Sequence, residues 1–196
     1  NVTGDLPNLV KELQDRYSKI ERAELLGVSP LKDNESWKQS NSVSTMKWRE
    51  YNVFQFHIDE LYDLYKSISD MTKEACEYYE IDFEKQKFFI QGWFNINHTK
   101  KGKLDWHDHG PWGAPNFHGY YCVKAEPSST YYKVFDKEVE NKNIDGRAIL
   151  SEMGHPHAQA DWDWEGPRVT VAYDVIPLFG LKENGMHQEQ HWIPLV

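Results

Sequence analysis

The chain has 196 residues, with 22 Lys+Arg against 31 Asp+Glu and a formal net charge of −9. That length suits one domain, and 8 Trp, 11 Tyr and 9 Phe offset a modest 39% of hydrophobic residues, which excludes intrinsic disorder. The acidity argues against nucleic acid as a partner, and no apolar run approaches the ~18 residues of a membrane span.

Leu9, Val10, Leu13, Tyr17 and Ile20 recur at three- and four-residue steps and predict a helix over 6–25. Residues 26–50 read as a connector, and Ile58, Leu61, Tyr62, Tyr65, Ile68, Met71, Ala75 and Tyr79 predict a second helix over 57–80. From about Phe88 the period changes to two. Segments 88–97, 118–124, 130–136, 147–151 and 168–176 are short, β-branched or aromatic, and bounded by Gly, Pro, Asn or Asp. Such strands without intervening helices predict an α+β, mainly β fold: N-terminal helices followed by a jelly-roll-like core. The expected organisation is a single domain over 1–196, with a mostly helical segment 1–85, a β core 86–180 and a tail 181–196. Cys76 and Cys122 are too few for a disulfide framework. With no signal-peptide pattern at Asn1, a cytoplasmic location is expected, with no membrane partner.

Six of the nine histidines fall between 98 and 157, and two pairs stand out: His107 with His109, and His155 with His157. On a strand, residues two apart share a face, so Asp105, His107 and His109 are expected on one side. His157, brought across from a second segment, would complete a ring of imidazole and carboxylate that suits Fe, Zn, Cu or Ni. Two histidines and a carboxylate with open positions is the non-haem Fe(II) pattern. The third ligand is left open between His109, Asp105 and water, with His109 favoured on strand geometry. Eleven residues after His157, Arg168 opens the alternating strand RVTVAYDV, in which Arg168, Thr170 and Ala172 share one face. An arginine inside a barrel is costly unless a carboxylate meets it, and a ligand carboxylate can be held bidentately.

Taken together, Trp93 and Asn95, WHDHG at 106–110, GYYCV at 119–123, His157 and RVTVAYDV at 168–175 resemble the Fe(II)/2-oxoglutarate-dependent oxygenases, particularly small bacterial and marine-phage-like members. The resemblance covers about Phe88 to Pro177. It implies a double-stranded β-helix (a jelly roll, cupin-like) with Fe(II) held by His107 and His157. It also implies 2-oxoglutarate as cosubstrate, its distal carboxylate on Arg168 with Tyr121 or Thr170 as a further donor, and hydroxylation of a small molecule or peptide. The family's usual motif is H-x-D, whereas here the second residue is His109. Trp93, Asn95 and Trp112 are weaker candidates for substrate contact. H-x-H also echoes cupin metalloenzymes that use no 2-oxoglutarate, and a jelly-roll binding module is the third alternative. His187 and His191 read as a solvated tail.

Overall fold

The computed structural model describes residues 52–97, 106–110, 115–160, 162–165, 167–183 and 192–196, together with 8, 9, 11, 12, 15, 42–44 and 113. The expected first helix therefore lies mostly outside the described residues, although those present at 8–15 are helical. Asp105, Trp112, His187 and His191 also lie outside them. The elements in chain order are β1 (Ser42–Ser44), a 3-10 turn (Val53–Gln55), α1 (Asp59–Tyr78), α2 (Phe83–Gln86), β2 (Phe88–Asn97), β3 (Phe117–Lys124) and β4 (Ser129–Val134). There follow β5 (Lys137–Lys142), β6 (Ala148–Glu152), β7 (His157–Gln159), β8 (Arg168–Pro177), α3 (Leu178–Glu183) and β9 (Ile193–Pro194).

The strands form a major sheet in the order β1-β2-β8-β3-β6, with β9 also on β2, and a minor sheet in the order β5-β4-β7. All ladders are antiparallel. His107 forms an antiparallel bridge with His157 and so extends the minor sheet beyond β7. After β2 the chain crosses to the minor sheet at His107, returns in β3, crosses to the β4–β5 hairpin, returns in β6, crosses in β7 and returns in β8. That winding is a double-stranded β-helix, as expected.

Alternation along β2, β3 and β8 gives the major sheet two distinct faces. Phe88, Ile90, Phe94, Phe117, Tyr121, Val123, Val169, Val171, Tyr173 and Val175 point outward into one apolar core with Leu61, Leu64 and Ile68 of α1. The helix begins with Asp59 and Glu60, acids placed at the positive end of its dipole. Tyr62, part of the expected stripe, is exposed instead. On the inward face Trp93, Tyr120, Cys122 and Ala172 meet Tyr132 of the minor sheet.

Three differences from the sequence reading have physical causes. The strand expected over 130–136 is a hairpin, because Phe135 takes a left-handed φ of 54° at the turn and Val134 pairs with Lys137. The connector contains β1, which pairs with Asn95–Asn97. Residues 192–196 are docked rather than free. Leu195 N–H donates to Phe88 O at 2.9 Å, Tyr65 Oη to Pro194 O at 2.7 Å and Ser69 Oγ to Val196 O at 2.6 Å. Between β1 and β9 the edge of β2 would be bare, and Asn52 covers it. Its Nδ2 donates to Ile90 O at 3.0 Å and its Oδ1 accepts from Gly92 N–H at 3.1 Å, satisfying the backbone groups that ladders leave over.

Gly119 in β3 is a tight point, since a Cβ there would lie 2.1 Å from Ile149 O and 2.4 Å from the Tyr173 ring. The carbonyl belongs to the β3–β6 ladder and cannot swing away. Gly119→Ala is expected to lower the unfolding free energy by about 3 kcal/mol, measured by chemical denaturation. An unchanged midpoint would mean that the two strands part more easily than this packing implies.

Candidate metal centre

His107 sits beside His157 because their backbones exchange two hydrogen bonds, His107 N–H to His157 O at 3.1 Å and His157 N–H to His107 O at 2.8 Å. The rings lie 4.3 Å apart between centroids. His109, two residues on, stacks on His118 of β3 at 3.8 Å and lies 5.2 Å from His157. Ring nitrogens of His107, His109 and His157 all lie within 4.8 Å of one another. The three histidines of the sequence reading are therefore brought together. His107 and His109 converge from an irregular segment rather than from the expected strand, with only the single bridge at His107.

Burial, followed by the neighbouring His118, His107 and His109 rings, pushes the His157 imidazole down to about 2. The ring is therefore neutral at ordinary pH, the form in which imidazole binds a metal. Its Nδ1 donates to His155 O at 3.3 Å. A carbonyl only accepts, so the proton sits on Nδ1 and Nε2 keeps its lone pair for a ligand. A donor set of three imidazoles fits iron and its neighbours in the first transition row.

Two residues that the sequence reading passed over complete the cluster. Asp174 Oδ1 lies 3.1 Å from His109 Nδ1 and 3.0 Å from His118 Nδ1, and these three residues form a second group whose donor atoms lie within 4.8 Å. Burial pushes the His118 ring down to about 4, against the pull of Asp174. Burial alone would raise the Asp174 carboxyl, but the His109 and His118 imidazoles hold it below the usual carboxylate range. Both residues had a visible signal. Asp174 continues the alternation of Arg168, Thr170 and Ala172, and His118 continues that of Tyr120 and Cys122.

Arg168 lies on the inward face at the other end of β8 and is 4% exposed. Its Nη1 donates to Gln159 Oε1 at 2.9 Å and its Nε to Ser128 Oγ at 3.3 Å. Among the described residues no carboxylate pairs with it. Burial lowers its pKa. Gln159 Oε1 also accepts from Asn97 Nδ2 at 3.1 Å. Among the described residues Gln159 Nε2 and Asn97 Oδ1 are buried without a partner. A guanidinium answered only by neutral groups, with a spare amide N–H beside it, fits a carboxylate-bearing ligand.

Thr170 shares the face of Arg168, as expected. Tyr121 does not: it is fully buried in the outward core beneath α1, so it cannot share a cavity with Arg168. Burial raises its phenol to about 12. Tyr120 is the tyrosine on the inward face, with its hydroxyl donating to Asn143 Oδ1 at 2.9 Å and accepting from Asn141 Nδ2 at 2.7 Å. Trp93 stacks on His109 at 5.7 Å and 12°. Asn95, two residues along β2, lies opposite Thr170. A groove of about 430 Å³ lined by Phe54, Tyr65 and Ile193 lies on the outward side and contains none of the cluster.

No protein-family model matches the chain, and no curated protein does. Among solved structures it is similar to a 2OG-Fe(II) oxygenase-family oxidoreductase from Burkholderia pseudomallei, with 11% identity and a TM-score of 0.41, over 47% of this chain and 46% of that one. It is also similar to a cupin domain from Bordetella pertussis, with 11% identity and a TM-score of 0.34, over 44% and 81%. A third is the non-haem α-ketoglutarate-dependent epimerase SnoN from nogalamycin biosynthesis, with 9% identity and a TM-score of 0.47, over 69% and 60%. The chain thus spans just under half of the first of these. The strand order above defines the fold on its own. Among the described residues no helix is long and apolar enough to cross a membrane.

His157 is 7% exposed and packs against Tyr132 as well as the other imidazoles, so it contributes to the core. His157→Ala should therefore lower the melting temperature of the metal-free protein by several degrees, and the further rise expected when Ni(II) or Co(II) is added to the parent should be lost. A variant with the parent's metal-induced shift would remove His157 from the ligand set.

Proposed function

We propose that the protein is an Fe(II)- and 2-oxoglutarate-dependent dioxygenase, hydroxylating a small-molecule or peptide substrate and releasing succinate and CO2. Arg168 carries this reading. It is a buried guanidinium on the inward face, on the same strand as the aspartate that braces the histidines, and no described carboxylate answers it. His107, His109 and His157 would hold the iron through neutral ring nitrogens. Bound iron and 2-oxoglutarate together supply oxidation of a substrate C–H bond by O2, with 2-oxoglutarate decarboxylated to succinate.

The chain's own work is binding, orientation and exclusion of water. Ser128 and Gln159 fix the plane of the Arg168 fork so that its remaining donors can take the distal carboxylate bidentately. Thr170 offers a hydroxyl on the same face. Trp93 lies flat against His109 and restricts water on that side, which strengthens every electrostatic contact within. Trp93 and Asn95 remain the proposed substrate contacts, with Trp112 outside the described residues. A cytoplasmic setting without nucleic-acid or membrane partners belongs to the same reading, which the two free, buried cysteines support.

The all-imidazole ligand set favours one other reading, a cupin-type dioxygenase that uses no 2-oxoglutarate. Succinate separates the two. Protein supplied with Fe(II), ascorbate, O2 and 2-oxoglutarate should release succinate even without substrate, and its complete absence would sink the first reading. Arg168→Lys keeps the charge but loses the two-donor fork, so the KM for 2-oxoglutarate should rise about tenfold, and in Arg168→Ala about a hundredfold. An unchanged KM in both would make Arg168 a structural residue.

A further inference from the structure

The candidate centre has three imidazoles where the common non-haem iron site has two imidazoles and a carboxylate. A carboxylate is nevertheless present, directly behind one of the rings. We propose that Asp174 supplies the carboxylate of this centre by acting through His109 as a positioning residue rather than as a ligand. The inference rests on the His107, His109 and His157 set of the oxygenase reading but not on 2-oxoglutarate.

The geometry runs from the backbone outward. Asp174 lies in the middle of the major sheet, paired with Gln91 on β2 and His118 on β3, so two ladders hold it and its carboxylate cannot drift. One oxygen, Oδ1, sits 3.1 Å from His109 Nδ1 and 3.0 Å from His118 Nδ1. These are hydrogen-bond distances. A carboxylate accepts, so each ring carries a proton on Nδ1 and turns its Nε2 away from the carboxylate. For His109 that leaves Nε2 as the nitrogen available to the metal set with His107 and His157. A carboxylate behind a ligating imidazole fixes the tautomer and ring angle and makes the ring a stronger donor. The negative charge that an acid at position 109 would bring to the metal directly thus comes to it through the ring. His118 stacks on His109 at 22° and donates its own Nδ1–H to the same oxygen. It braces the carboxylate so that removal of either ring leaves it short of a donor.

Two measurements on the metal-loaded protein test this, and neither needs cosubstrate or substrate. In the Zn(II) complex labelled with 15N-histidine, long-range 1H–15N correlations should show His109 protonated on Nδ1 and bound through Nε2. Coordination through Nδ1 would overturn the proposal, because Asp174 would then belong to a second ligand set with His118. The second measurement is Zn(II) affinity by chelator competition in two backgrounds. Asp174→Asn should weaken binding by about 10- to 100-fold when residue 109 is histidine. In a His109→Asp background, where the acid is already on the metal, the same substitution should change affinity by about twofold at most. Equal losses in the two backgrounds, or no loss in the first, would overturn the proposal by making Asp174 a ligand, a purely structural group or a bystander. If His109→Asp holds no zinc, the NMR signature decides alone. A parent that binds zinc as described yet makes no succinate would sink the oxygenase reading and leave Asp174 in its role. Succinate formation with equal losses would do the reverse.

Discussion

The two-residue repeat of the β2–β8–β3 ladder is the constraint on which the rest depends. Each of these strands is buried on both faces, apolar outward under α1 and mixed inward, where Trp93, Tyr120 and Ala172 alternate with the polar groups that face the histidines. A slip of one residue in register would turn every side chain over. Arg168 and Asp174 would move into the apolar core, and Val169 and Val175 would enter the polar interior. The penalty for burying an unanswered charge among Phe94, Ile68 and Val171 is several kcal/mol or more, so the register that builds the core also builds the site.

Along the inward face of β8 the two charges are treated differently. Asp174 is met by two imidazole N–H groups and lies within a network that leaves little unsatisfied. Arg168, three alternations away, is met by one amide and one hydroxyl, both neutral. The strand therefore holds a resolved negative charge near the histidines and an unresolved positive charge at the far end. A buried polar arrangement that is only partly satisfied costs stability, and a molecule carrying a carboxylate would recover that cost on binding. A folded domain tolerates such a deficit where a ligand is due.

Much of this was legible in the sequence, and what was not has identifiable reasons. Strands 88–97 and 168–176 stand out because their alternation or continuous apolarity is strong, and the pairing of His107, His109 and His157 follows from the H-x-H and GHPH segments. The inward tyrosine is Tyr120 rather than the expected Tyr121, and the two are adjacent in sequence. A Tyr-Tyr pair carries no label for which ring faces inward, and only the register with Ala172 and Val171 settles it. β5 escaped notice because KEVENK is an edge strand exposed along nearly its whole length and has no face to bury. The hairpin turn Phe135-Asp136 lacks the Asn-Gly signature of such loops. Asp174 extends the alternation of Arg168, Thr170 and Ala172, and His118 opens the segment expected as a strand over 118–124.

The same ladder has a consequence for how the chain acquires its structure. β2 pairs with β8 along its whole length, Asn97 with Arg168 at one end and Phe88 with Pro177 at the other. β8 also forms the partner surface for β3. Such long-range closure is slow compared with local hairpins and leaves strand edges open to other chains while it is pending. The centre draws residues from 107 to 174, so it cannot exist in any partly made or partly collapsed form that lacks β8. The hairpin of β4 and β5 can close on its own, but His157 has no place until β4 offers its other edge. A metal held by these histidines would therefore bind late, only after the last central strand has closed the sheet.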